Sequence, residues 1–184
     1  IFSIHFLIES PKLGAHVVEL KLDTGDTAWM IVASALVLLM TPGLGFFYGG
    51  MIRKKNVIST MLQSYMAMVV VTVLWILIGF GLCFGPSIGG IIGDPTSNLF
   101  FNNVSANTAW ELAPTMPMIL FALFQAKFAI ITPALITGAF AERVRFWAYL
   151  LFMVLFILVI YAPLCHMTWH PDGLFFGWGV LDFA

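Results

Sequence analysis

Residues 57–84 read VISTMLQSYMAMVVVTVLWILIGFGLCF, and no position in this stretch is charged. A helix of that length extends about 42 Å at 1.5 Å per residue, longer than the ~30 Å hydrocarbon core of a bilayer. The same pattern recurs along the chain. No charge lies between Asp26 and Arg53, and none between Arg145 and Asp172. A further apolar stretch, 114–138, is interrupted by one charge, Lys127. The spacing predicts membrane helices over 28–50, 57–84, 114–138 and 146–167, with a fifth beginning near Gly177. The predicted fold class is an all-α membrane protein.

Composition agrees. Of the 184 residues 61% are hydrophobic and only 9% charged, and the mean hydropathy is +1.00. A water-facing domain carries about 25% charged residues. Too little polar surface exists here to cover the apolar residues, which excludes a soluble enzyme, a disordered chain and a nucleic-acid binder.

The charges that remain give an orientation. Arg53-Lys54-Lys55 lies between the first two predicted helices and Glu142-Arg143-Val144-Arg145 between the third and fourth. Loop 85–113 has two acids and no base, and loop 169–173 one acid and no base. Cytoplasmic loops carry the Lys/Arg excess. Both basic loops are therefore expected inside and the N-terminus outside, with residues 1–25 an extracytoplasmic extension. Pro42, Gly43, Gly45, Gly49 and Gly50 fall in the inner half of the first helix. Such residues are tolerated in lipid where neighbouring helices approach closely, which predicts a first helix packed inside a bundle.

A few side chains stand out. Lys127 is an ionisable group deep in a predicted span, where charge is expensive, so a compensating partner facing away from any cation path is expected. Phe124 and Phe128 are four apart and share a helix face. Tyr161 and Trp169 sit at the outer end of the fourth helix, in the position of an interfacial aromatic belt. His166 and His170 are also four apart, but a metal or haem site needs more ligands than these two. Asp182 is placed to accept the unpaired N–H groups at a helix start. Cys83 and Cys165 near the outer helix ends read as small apolar residues.

Four ordered stretches resemble the ammonium transporter family (Amt/Mep/Rh), in particular its prokaryotic branch. They are Asp26-Thr27-Ala28-Trp29-Met30 through Phe47-Tyr48-Gly49-Gly50 to Arg53-Lys54-Lys55-Asn56-Val57; Phe124-Gln125-Ala126-Lys127-Phe128-Ala129 through Gly138-Ala139-Phe140-Ala141-Glu142-Arg143; Ala162-Pro163-Leu164-Cys165-His166-Met167-Thr168-Trp169; and Leu181-Asp182-Phe183-Ala184. The resemblance covers residues 26–184. It implies the first repeat of an eleven-helix, inverted-repeat bundle: four complete membrane helices and the start of a fifth, as a fragment of a longer chain.

The same resemblance implies ammonium transport across the cytoplasmic membrane by a homotrimer, with no enzymatic activity and no cofactor. It matches Trp169 and Phe124 to an outer cation–π site for NH4+, Phe128 to a gate below it, Asp182 to the acid behind it and Tyr161 to a vestibule tyrosine. A PII-type regulatory protein at the cytoplasmic face is the implied partner. Lys127 departs from the pattern, since the family usually carries a small or apolar residue there. The alternative function is an ammonium-sensing membrane domain coupled to a C-terminal signalling module.

Overall fold

A computed structural model describes residues 16–182. Strand β1 (Val17–Glu19) leads into helix α1 (Thr24–Met51). Asp23 starts that helix because its carboxylate accepts the Asp26 N–H at 2.8 Å, satisfying one unpaired donor of the first turn. Helix α2 (Val57–Leu74) runs through a π-helical turn, Trp75–Gly79, into α3 (Phe80–Phe84). Strands β2 (Ser87–Ile88) and β3 (Ile92–Gly93) form a small hairpin, and β4 (Thr108–Trp110) pairs antiparallel with β1. Then follow α4 (Met118–Leu135), α5 (Thr137–Phe140), α6 (Phe146–Leu155), a second π-helical stretch at Phe156–Tyr161, α7 (Ala162–Trp169) and α8 (Leu174–Gly177).

Four helical segments are long and apolar enough to cross a membrane: Thr24–Met51, Lys54–Phe84, Met118–Phe140 and Phe146–Gly177. The four predicted spans are therefore present, with three differences. The first begins at Thr24 because Asp23 caps it there. The third begins at Met118 rather than at 114. Pro117 is held extended, and the carbonyls of Pro114 and Thr115 take the N–H groups of Lys21 and Asp23 at 2.9 and 3.0 Å. The residue before a proline is pushed out of the helical region, so the helix cannot reach back. No helix runs from Gly177 to Asp182: residues 174–177 make one turn, Gly179 takes φ +73°, and 180–182 have no regular structure. Phe183 and Ala184 lie outside the described residues, as does most of the expected extension 1–25.

The first helix is not enclosed within the chain. Its small-residue face packs, with Thr41, Gly45 and Gly49 buried. A Cβ on Gly49 would come within 3.0 Å of the Met61 side chain on α2, and one on Gly138 within 2.9 Å of the Tyr48 ring. Glycine is what permits these approaches. The opposite face, with Trp29, Leu36, Leu39, Phe46 and Phe47, is exposed.

The two ends of the bundle differ. At one end the short loops converge on Glu142, whose carboxylate accepts from the Arg53 backbone N–H at 3.0 Å and from the Asn56 side chain at 2.9 Å. At the other end the strands and long loop build a cap over a large aromatic core. Trp75 ties that core together by donating its indole N–H to the Ala122 carbonyl at 3.0 Å.

Candidate functional site: an aromatic pocket at the strand-bearing end

The aromatic core grows from helix spacing. Phe80 and Phe84 are one turn apart on α3, with centroids 5.5 Å apart. Phe84 meets Phe121 of α4 at 5.0 Å and Trp110 of β4 at 5.5 Å. The Trp110 and Phe121 rings stack at 5.7 Å with only 11° between planes. Phe84, Trp110 and Phe121 form one wall of a cavity of about 380 Å3. The opposite side comes from Trp169 at the end of α7 and from the loop carrying Val180, Leu181 and Asp182.

The polar groups of this cavity are few. The Trp169 indole N–H donates to the Asp182 carboxylate at 2.6 Å. That bond fixes the orientation of the indole and leaves its face to the cavity. Gln125 of α4 also lines it, and its side-chain carbonyl oxygen is buried with no hydrogen-bond partner among the described residues. A buried acceptor without a donor is costly and is a place where a donor ligand gains most. A second cavity of about 230 Å3 shares Trp169 and Asp182 and adds Tyr161, whose hydroxyl is buried without a partner among the described residues.

Three of the sequence-predicted residues, Trp169, Asp182 and Tyr161, thus come together. Phe124 and Phe128 pack edge to face at 5.0 Å as their spacing predicts, but they line neither of these two cavities. Asp182 meets the Trp169 indole. Lys127 is half-buried nine positions past Met118, about 14 Å along α4 and near mid-membrane. It lines neither cavity and has no hydrogen bond or ion pair among the described residues, so the partner expected for it is not found there. Cys83 and Cys165 are free thiols, both buried.

Two cavity residues, Trp110 and Gln125, were not singled out in the sequence. Gln125 carried a signal, being a neutral polar side chain in an otherwise apolar helix. Trp110 reaches the cavity only through the pairing of β4 with β1, which brackets residues 91 positions apart at Val18 and Ala109.

Behind Trp110 lies a polar cluster. The His16 ring donates through Nδ1 to Glu111 and through Nε2 to Asp172, each at 2.6 Å. Burial pulls the His16 pKa down, but these two carboxylates outweigh it and leave it raised above 6.5. His166 is satisfied by the Cys83 carbonyl at 2.9 Å and the Ser87 hydroxyl at 2.8 Å, and its ring stacks on His170 at 4.3 Å.

With this geometry in place, relatives can be compared. The model of the Ammonium Transporter Family matches residues 28–184. This chain belongs to that family. The family is one of transporters rather than enzymes. An ammonium transporter of Mycobacterium tuberculosis is 48% identical over 164 residues, which are 82% of this chain and 34% of that protein. The structure of Candida albicans Mep2 superposes with a TM-score of 0.77 at 34% identity, covering 89% of this chain and 35% of that one. A sensor Amt protein superposes with a TM-score of 0.68 at 30% identity, over 77% of this chain and 33% of that one. The chain thus spans about a third of the length of these relatives.

Proposed function

We propose that this chain is the first repeat of a membrane protein that moves ammonium across a prokaryotic cytoplasmic membrane, assembled as a homotrimer of eleven-helix subunits. The observation that carries this reading is the cavity in which an oriented indole, a carboxylate and an unpaired carbonyl converge. Each element suits NH4+. The Trp169 face attracts a cation by its quadrupole, an effect of about 0.5–2 kcal/mol depending on desolvation. Asp182 raises the local cation concentration. The Gln125 carbonyl accepts one of the four N–H bonds that distinguish ammonium from a bare alkali ion.

In this reading the pocket faces outward, with both basic loops in the cytoplasm. NH4+ is held at the pocket, loses its proton there, and neutral NH3 passes the Phe128 gate. Phe124 joins the site only if it turns toward Trp169. No step requires a cofactor. The basic-loop end would offer the surface for a PII-type regulator. The sensor reading is kept as the second, because the fold likeness includes a sensor Amt protein. A signalling module encoded after Ala184 selects the sensor, and a short tail the transporter.

The test is Trp169→Leu in the full-length protein. Half-saturation of labelled ammonium uptake into proteoliposomes is expected to rise about 2- to 30-fold, the range corresponding to the cation–π energy. An unchanged concentration dependence with intact assembly would falsify the assignment of Trp169 to the site.

A further inference from the structure

The cluster behind Trp110 plays no part in the transport reading, and its ligand geometry carries a reading of its own. One ring nitrogen of His16, one of His170 and a carboxylate oxygen of Asp172 lie within 4.8 Å of one another. We propose that His16, His170 and Asp172 form a binding site for a divalent transition metal of the Zn2+ class, oriented by Glu111.

The donor set is two imidazoles and one carboxylate, the combination that suits zinc with a fourth position left to water. The three ligands come from separate places in the sequence and are held by different means. His16 precedes β1, whose pairing with β4 places it against the Trp110 ring at 6.0 Å. His170 closes α7 and is fully buried, its ring edge-on to His16 at 4.7 Å. Asp172 follows in the next turn, its carboxylate on His16 Nε2 at 2.6 Å.

The protons are arranged for such a site. Glu111 accepts from His16 Nδ1 at 2.6 Å, which leaves Nε2 as the nitrogen that faces the other ligands. This carboxylate–histidine pairing is the arrangement that fixes the tautomer of metal-bound histidines. On the second imidazole, Nδ1 accepts the Asp172 backbone N–H at 3.1 Å, so the ring proton sits on Nε2. Among the described residues that Nε2 is buried with no partner, so the ring is kept neutral and Nδ1 keeps its lone pair. Metal entry releases one proton, from His16 Nε2 to solvent, and transfers the His170 Nδ1 lone pair from the Asp172 N–H to the ion. Tetrahedral zinc with bonds of about 2.0–2.1 Å needs its ligand atoms about 3.3 Å apart, so the 2.6 Å His16–Asp172 contact opens and the wider ones close.

The consequence is local. The ion would pin β1 to the loop after α7, ten residues before Asp182, and would stand directly behind Trp110, one wall of the aromatic cavity.

The test uses the full-length protein in detergent, dialysed against zinc chloride, with bound metal measured by elemental analysis. One tightly held zinc per chain is expected. His16→Gln and Asp172→Asn should each lower its affinity by more than tenfold, and Glu111→Gln by about 10- to 100-fold. Zinc retention equal in wild type, H16Q and D172N, or none in wild type, overturns the proposal and leaves the cluster a salt-bridged clasp. Should the variants fail to assemble, wild type decides alone. Loading with Co2+ should give the intense visible absorption of a four-coordinate ion, and only the weak spectrum of aqueous cobalt overturns the site.

Discussion

The two ends of this bundle are built by opposite means. The basic-loop end is closed by short connections and one exposed staple, Glu142 on Arg53 and Asn56. The strand-bearing end is closed by a long loop, two strand pairs and a buried aromatic core, with polar groups held inside it. A surface staple contributes little because water screens and competes for it. Buried rings contribute much, because each removes 150–250 Å2 from water. Structure is thus concentrated at the end that carries the cavities, and the opposite end is left spare and positive.

The sharpest way to break this contrast is to ask which end faces out. Cysteines placed at exposed Ala106 and Lys54 should be labelled by a membrane-impermeant reagent in intact cells at position 106 only. The native Cys83 and Cys165 are buried and should stay silent. Labelling at 54 and not at 106 would invert the assignment of both ends. The next effect in size is energetic. Trp110→Ala empties a site where the native ring is 2% exposed and stacked on Phe121. A loss of about 3–5 kcal/mol is expected, read as a fall in melting temperature of the purified protein. A melting temperature within a degree of wild type would remove Trp110 from the structural core.

Smaller still is Asp182→Asn. It keeps an acceptor for the Trp169 indole and removes the charge. Ammonium uptake should fall by about tenfold or less, the scale of losing the charged partner of a hydrogen bond, while Asp182→Glu restores part of it. Equal uptake by D182N and wild type would mean that the charge plays no part. The smallest effect belongs to the staple. Hydrogen bonds from Asn56 and from the Arg53 N–H hold the Glu142 carboxyl below its usual value of 4.5. A depressed carboxyl stabilises the fold fully above that usual value, and the contribution is lost as pH falls through the native pKa. Melting of wild type and Glu142→Gln should therefore differ slightly at neutral pH and converge on acidification below 4.5. A difference that grows with acid would refute the staple.

What the sequence disclosed follows from range. Uncharged gaps gave the spans 57–84 and 146–167 because insertion depends on local composition alone. The i, i+4 spacing of Phe124 and Phe128 was enough to foresee their ring contact. The start of α4 was missed because Pro117 acts together with segment 21–23, a pairing between residues far apart. The His16 cluster was invisible for the same reason: its carboxylate partners lie 95 and 156 positions away. His166 and His170 read as a pair four apart, and the β1–β4 register is what brings His16 beside His170. A loop with Gly179 at positive φ brings Asp182 to Trp169, a contact that local sequence does not disclose.

The π-helical turns at Trp75–Gly79 and Phe156–Tyr161 set the phase of the two helices that carry them. Each turn holds one residue more than an α-helical turn would. Winding the same residues of 75–79 as an ordinary α-helix would rotate everything beyond them by about 100°. Phe80 and Phe84 would swing away from Phe121 and Trp110, and Cys83 would lose its carbonyl's place opposite His166. These segments therefore work as rotary offsets: the half of each helix away from the cavities can be packed for one set of neighbours while the half beside them is aimed at another.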